Sequence, residues 1–353
     1  MRRALVVAAG TIALTVLGAA PALACGGLIG PNGAVNLTRT TTFAGYANGV
    51  EHYVTSFAYA GGGGAFGSLT PLPGVPTKVE QGGDWTLQRL VRETEPQPTF
   101  RAEAGVFAAT TSKAADVLLR TKVGALSITV LRGGGDEVGT WAKQNGFRLP
   151  ADAPEVLDFY AARSPIFLAA VFDADAARKK GQQVGDGTSV HIEIPTDDPW
   201  VPLRILALGK SPGEAVEADV YLLTEHRPRL LSTTPIATGP ATGETLSVLH
   251  DAEASEQLLT DLRDDRGGGW VPRSGWLTKV RVNGPAATVT GDLAIDATGT
   301  RTPSFVKAGL SRPVSAVEPV AVPPARESLG AVLALVLAGF ALFGGFVVAA
   351  VRR

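Results

Sequence analysis

The chain has 353 residues, 32 basic and 33 acidic side chains, a formal charge of −1, and 45% hydrophobic against 18% charged residues. That length is ample for one large domain or two small ones. The acidic-leaning balance excludes the basic footprint of a nucleic-acid binder.

Arg2 and Arg3 precede an apolar run from Ala4 to Ala20. Pro21 ends it, and the small-x-small triplet Ala22-Leu23-Ala24 follows. A basic start, a short apolar stretch and small residues before a cut are the parts of a secretory signal. Cleavage is expected between Ala24 and Cys25. Cys25, the single cysteine, would then be the first mature residue, the position that bacterial lipoproteins acylate. The large residue Leu23 sits one place too late for their motif, so lipidation of Cys25 is the lesser expectation. A lone exported thiol forms no internal disulfide.

Residues 26–36 form a Gly/Pro/Asn-rich entry. Thr40 to Tyr46, Asn48-Gly49 and Val50 to Tyr59 read as a hairpin, because Asn-Gly supplies the two positive φ angles of a tight turn. Residues 61–64 are a glycine tip, and Leu72-Pro73-Gly74-Val75-Pro76 is stiffened and extended. Asp84 is expected to cap a helix reaching Glu95, with Leu87, Leu90 and Val91 on one side. Leu126 to Leu131 reads as a buried strand. Asp136 is expected to cap the next helix, which carries Val138, Trp141 and Ala142 and closes at Gly146 with Phe147 folded back. A third helix follows Asp152, burying Val156, Phe159 and Tyr160.

Strands are then expected at Pro165 to Phe172, Ser189 to Ile194, Val201 to Leu208 and Ala218 to Leu223, with polar loops at residues 174–187 and 195–199. A helix follows over Ala252 to Asp265, then strands at Thr278 to Val282 and Ala287 to Ile295. The segments Gly146 to Pro150 and Gly268 to Pro272 echo each other after a strand and a helix, which would fit two related αβ lobes. Residues 312–326 are proline-spaced and read as a semi-rigid stalk.

Leu329 to Val351 is an uncharged apolar run closed by Arg352 and Arg353. Its length suits one membrane-spanning helix, with the basic pair as a cytoplasmic stop. No LPxTG-like sorting site precedes it, so the helix is expected to be retained. The expected organisation is therefore a signal peptide at 1–24, an extracytoplasmic α+β domain at 25–311, a stalk at 312–328, a membrane helix at 329–351 and a basic stop at 352–353. The fold class expected for the domain is α+β, with mixed or antiparallel sheets and a few packed helices. Without the four terminal arginines, the balance is 28 basic to 33 acidic side chains, or −5.

The order Cys25-Gly26-Gly27, the hairpin leading to Leu72-Pro73-Gly74-Val75-Pro76, and Ile128-Thr129-Val130-Leu131 before a helix with Trp141 form a pattern. Asn145-Gly146-Phe147, Pro202-Leu203-Arg204 and Val220-Tyr221-Leu222-Leu223 continue it. The whole, from about Cys25 to Ile295, resembles the bacterial family DUF2330. The resemblance implies an exported, often membrane-tethered protein with no known activity, and so carries over no catalytic residue. Several members have more cysteines near the start, and the single one here weakens a redox or metal role for that position.

Candidate chemistry is sparse. Gly133 to Gly139 follows a strand and opens a helix as a dinucleotide-binding turn does, but its spacing is off by one and Asp136 and Glu137 stand where phosphate would. His191 and Glu193 share a strand face, with Asp197-Asp198 following. A zinc site wants three or four ligands, and His52, His226 and His250 are scattered, so a solvated face and an Asp-rich turn are the default. Asp197-Asp198 with Asp173 and Asp175 are a weak calcium alternative. No nucleophile elbow, His-Glu-x-x-His or paired-cysteine motif is present. Trp85, Trp141, Trp200, Trp270 and Trp276 are expected as core anchors. No catalytic residue, metal or cofactor is assigned. The expectation is a non-enzymatic binding ectodomain at a bacterial cell envelope, contacting lipid through its last helix and an envelope component or protein through its body, and no nucleic acid. The alternative is an envelope enzyme of hydrolase type whose site sequence does not display.

Overall fold

The computed structural model describes residues 27–30, 33–34, 40–58, 66–95, 117–179, 181, 187–239, 245–307 and 309. The chain enters through β1 (Gly27–Gly30) and β2 (Gly33–Ala34), then forms the hairpin β3 (Thr40–Ala47) and β4 (Val50–Ala58). Asn48 and Gly49 turn it with φ of 53° and 77°, as that dipeptide requires. β5 (Phe66–Pro71), β6 (Lys78–Gln81) and α1 (Thr86–Thr94) follow. Next come β7 (Val117–Val123), β8 (Leu126–Arg132), α2 (Gly135–Gln144), α3 (Ala153–Ala161), β9 (Ile166–Phe172) and the short α4 (Ala174–Lys179). β10 (Gly187–Pro195), β11 (Trp200–Val201), β12 (Ala215–Thr224), β13 (Arg229–Leu231) and β14 (Ile236–Thr238) lead on. β15 (Thr245–Glu253), α5 (Glu256–Asp264), β16 (Trp276–Pro285) and β17 (Leu293–Asp296) complete the body.

Two sheets stack face to face. One has six strands in the order β2-β1-β5-β9-β8-β7, and the other has eight in the order β14-β15-β16-β12-β3-β4-β10-β6. A small third sheet, β11-β17-β13, stands beside them. Pairing is antiparallel except for β12 with β3 and β14 with β15. The layering follows from which alternate residues are apolar. Tyr53, Val190, Ile192 and Val220 of the larger sheet pack with Ile128, Leu168 and Ala170 of the smaller one in one buried cluster. Leu131, Phe167 and Leu69, on the outer face of the smaller sheet, pack against Val138, Trp141, Leu157 and Tyr160 of α2 and α3. Phe43, Val54, Tyr221 and Leu277, on the outer face of the larger sheet, pack against Leu87, Leu90, Leu258 and Leu262 of α1 and α5. The result is helix, sheet, sheet, helix, with strands apolar on both faces because both are covered.

The α+β class, dominated by antiparallel and mixed sheets, holds. The two echoing segments follow α2 on one sheet and α5 on the other. Among the described residues no helix is long and apolar enough to cross a membrane. Residues 1–24 and 312–353, carrying the expected signal, stalk, membrane helix and basic stop, lie outside the described residues, as does the glycine tip at 61–64.

Several local expectations are corrected. Asp84 does not cap α1: Trp85 holds that position without a side-chain bond. The Asp265 carboxylate instead fixes the chain leading into the helix, accepting from the Asp84 and Trp85 N–H groups at 3.0 and 3.2 Å and from the Thr86 hydroxyl at 2.7 Å. Trp85 itself is 47% exposed and anchors no core. Asp136 lies in the first turn of α2 behind the cap position Gly134. Phe159 is only partly buried, at the edge of the α3 cluster. Residues 201–208 are not one strand: after β11 the chain turns into a 3-10 segment at Arg204–Ala207. The buried Asp292 carboxylate accepts from the Leu203 and Arg204 N–H groups at 2.7 and 3.0 Å and so draws them off any ladder. Residues 287–295 likewise hold a 3-10 turn at Ala286–Thr288 before β17. α5 starts at Glu256, capped by the Ser255 hydroxyl on the Leu258 N–H at 3.1 Å, because Ala252 still belongs to β15. The loop expected at 174–187 contains α4, whose first turn is capped by Asp173.

Candidate functional site

The outer face of the larger sheet is apolar beneath α1 and α5 and turns polar at its β6 edge. Register sets this. β10 pairs with β4 so that Glu193 lies opposite His52, and with β6 so that Glu193 lies opposite Lys78 and His191 opposite Glu80. Side chains two apart share a face, so these five groups converge on one patch.

His52 Nδ1 is 3.1 Å from His191 Nε2. His191 Nδ1 is 3.3 Å from Glu80 Oε1. Lys78 Nζ is 2.8 Å from Glu80 and 3.4 Å from Glu193. An ionised carboxylate only accepts, so His191 carries its proton on Nδ1 and offers the Nε2 lone pair toward His52. Burial, with His191 and Lys78 nearby, pushes His52 down to about 3. Burial also lowers His191, with Glu80 and Glu193 pulling the other way. Burial opposes ionisation of Glu80, but the Lys78 and His191 hydrogen bonds outweigh it and hold its pKa low. The pair is therefore two neutral imidazoles beside ionised Glu80.

Residues 265–271 roof the patch. Trp270 stacks on His52 with ring centroids 4.0 Å apart and planes 4° from parallel. Gly45, beside His52 on β3, makes this possible, since a Cβ there would lie 1.9 Å from the indole. Gly267 has φ of 75° and a Cβ there would sit 3.1 Å from His191 Nδ1, so the roof passes close over the imidazole. His52 and His191 are 6% and 2% exposed, whereas the Glu193 and Lys78 side chains are 27% and 49% exposed. The cluster opens to solvent on that side.

His191 and Glu193 share a face as expected, but the face is not simply solvated, and His52 is not isolated. Sequence reading missed His52, Glu80, Lys78 and Trp270 as its companions. Among the described residues, His52, His191 and Glu193 form the single group whose ligand atoms, all within 4.8 Å of one another, can hold a metal ion. Asp173, Asp175, Asp197 and Asp198 form no such group. Gly134 and Gly135 donate to Glu137 and Asp158 carboxylates at 2.7 and 3.1 Å, so the glycine turn is a capped helix start with its anion position filled from within. The cleft between α1 and α5 is lined by Arg89, Arg92, Glu93, Gln257 and Asp261. Arg89 bridges Glu93 and Asp261 there at 2.8 and 2.6 Å. Ala24, Cys25, Arg352 and Arg353 lie outside the described residues.

No curated protein matches the chain. Among solved structures, baculovirus P35 overlaps 73% of this chain and 96% of its own at 9% identity, with a TM-score of 0.36. A mutated, caspase-cleaved baculovirus P35 gives 73%, 99%, 7% and 0.34, and P35 in complex with caspase-8 gives 73%, 90%, 9% and 0.31. Likenesses at this level define no shared fold. Residues 19–296 match the family DUF2330, an uncharacterized protein conserved in bacteria, and the chain belongs to that family.

Proposed function

We propose that this protein is an extracytoplasmic binding domain held at a bacterial membrane by residues 329–351, with its C-terminus in the cytoplasm. The observation that carries the reading is the pair of uncharged apolar runs at 4–20 and 329–351, each flanked by an arginine pair. Among the described residues the first strand begins at Gly27 and the last ends at Asp296, and in sequence these elements lie between the two runs. Each run has the composition of its proposed part, an export signal and a membrane tether, and the proline-spaced residues 312–326 separate the second run from the body in sequence. The four layers bury their apolar faces against one another, so the body needs neither lipid nor disulfide for its core. Its role at the envelope is to bind an envelope component or a partner protein.

The test is fractionation of cells producing the full chain or a chain stopped after Glu327. The full chain is expected in the membrane pellet and the truncated one in the soluble extracytoplasmic fraction. Retention of the truncated chain in the pellet contradicts the tether. Its release on adding Cys25→Ser would then assign the anchor to a lipid at that cysteine.

A further inference from the structure

The His52 and His191 pair has a feature that ordinary buried histidines lack. Each imidazole points a ring nitrogen at the other, in a pocket that also faces a carboxylate. We propose that His52, His191 and Glu193 bind one divalent transition-metal ion of the zinc class. This goes beyond the tethered-domain reading and does not depend on it.

Four observations carry the assignment. The two nitrogens are 3.1 Å apart; with zinc–nitrogen bonds of about 2.0–2.1 Å, both bind one ion at an angle of roughly 100°, close to tetrahedral. Glu193 brings its carboxylate to the same point, all three ligand atoms lying within 4.8 Å of one another, and its partial exposure leaves it free to close the remaining gap. Glu80 holds His191 Nδ1, the carboxylate–histidine arrangement that orients a metal-binding imidazole and raises its basicity. Trp270 stacks on the His52 ring and Gly267 passes close over His191, while the Glu193 and Lys78 side stays open for a fourth ligand such as water. Two imidazoles with a carboxylate favour zinc, copper or nickel over calcium and magnesium, which take oxygen donors.

The proton count closes without an outside partner. In the empty pair, the His52 Nδ1 proton bridges to His191 Nε2. On binding, that proton moves to His52 Nε2, and both facing nitrogens present lone pairs to the ion. The Lys78 ammonium, which bridges the two carboxylates at 2.8 and 3.4 Å, swings outward from its half-exposed position.

The experiment uses the tag-free full chain in detergent, stripped with EDTA, dialysed and titrated calorimetrically with Zn²⁺, and separately with Ca²⁺ and Mg²⁺. One Zn²⁺ per chain is expected, with no uptake of the two hard cations. His52→Asn and His191→Asn should each abolish the event, while His226→Asn and His250→Asn leave it intact. Co²⁺ substitution adds a second readout, since its ligand-field absorption should change in the two histidine variants. Circular dichroism in EDTA confirms that each variant is folded. Should the histidine variants not fold, Glu193→Gln keeps the test open: its carboxylate contacts Lys78 and lies at the open rim, and a loss of about tenfold or more is expected. No zinc uptake by the wild type overturns the proposal. So does unchanged uptake in folded His52→Asn/His191→Asn, or in Glu193→Gln.

Discussion

Glu51 and His52 are neighbours in sequence on opposite faces of β4, and burial drives both to their neutral forms from opposite directions. Glu51 shares the Tyr53 face, turned toward the other sheet. Desolvation pushes it up to about 8, tempered by the Trp200 backbone N–H, and neither carboxyl oxygen completes a hydrogen bond among the described residues. Its folded pKa lies above its unfolded value of 4.5. Its contribution to stability is therefore fully present below about pH 4.5 and lost as pH rises toward 8, amounting to about 5 kcal/mol across that window. Denaturant midpoints measured from pH 5 to 9 with chelator present should fall for the wild type and flatten above pH 8. Glu51→Gln should remove that part of the decline and be the more stable at pH 8; an unchanged decline in the variant would contradict this. Of the cluster on the other face, the period-2 spacing of His191 and Glu193 was legible in the sequence. His52 was not, because it meets His191 only through a strand pairing that spans 139 positions, and single-sequence periodicity says nothing about which strands pair.

Elements whose signals are local were readable. The Asn48-Gly49 hairpin carries its turn chemistry in two residues. The end of α2 does the same, where Gly146 takes φ of 77° and the Phe147 N–H reaches the Ala142 carbonyl at 2.9 Å. Elements set by distant partners were not readable. The entry to α1 is held by Asp265, 179 positions away from Thr86, through the Thr86 hydroxyl and the two N–H groups before it. The Arg204–Ala207 turn exists because Asp292 reaches back for its N–H groups. Short strands such as β1, β6 and β13 have too few residues to show a period. Asp265→Ala should therefore destabilise the protein by about 1–3 kcal/mol, since it strips the acceptor from three N–H groups and a hydroxyl at once. Denaturant unfolding measures this. Asp84→Ala, at the position the sequence favoured, should cost well under 1 kcal/mol, and a reversal of that order would contradict the role of Asp265 at the entry to α1.

For the whole molecule, composition and the alternation of strands and helices were enough for an α+β body. The four-layer stacking was not apparent, because strands apolar on both faces do not reveal whether a helix or a second sheet covers them. The order of layers covers both outer sheet faces: α2 and α3 seal one, α1 and α5 the other, and Arg163, just past α3, pairs with Asp292 at 2.5 Å in the segment before β17. The proposed display of this body outside a membrane is a claim about the whole molecule. The most direct measurement is protease treatment of intact cells, opened to outer-envelope access where needed, followed by peptide mapping. Display predicts cleavage within the stalk at 312–328 and release of a folded fragment spanning residues 27–309, with a cytoplasmic marker left whole. A chain that stays uncut until the inner membrane is lysed would contradict it.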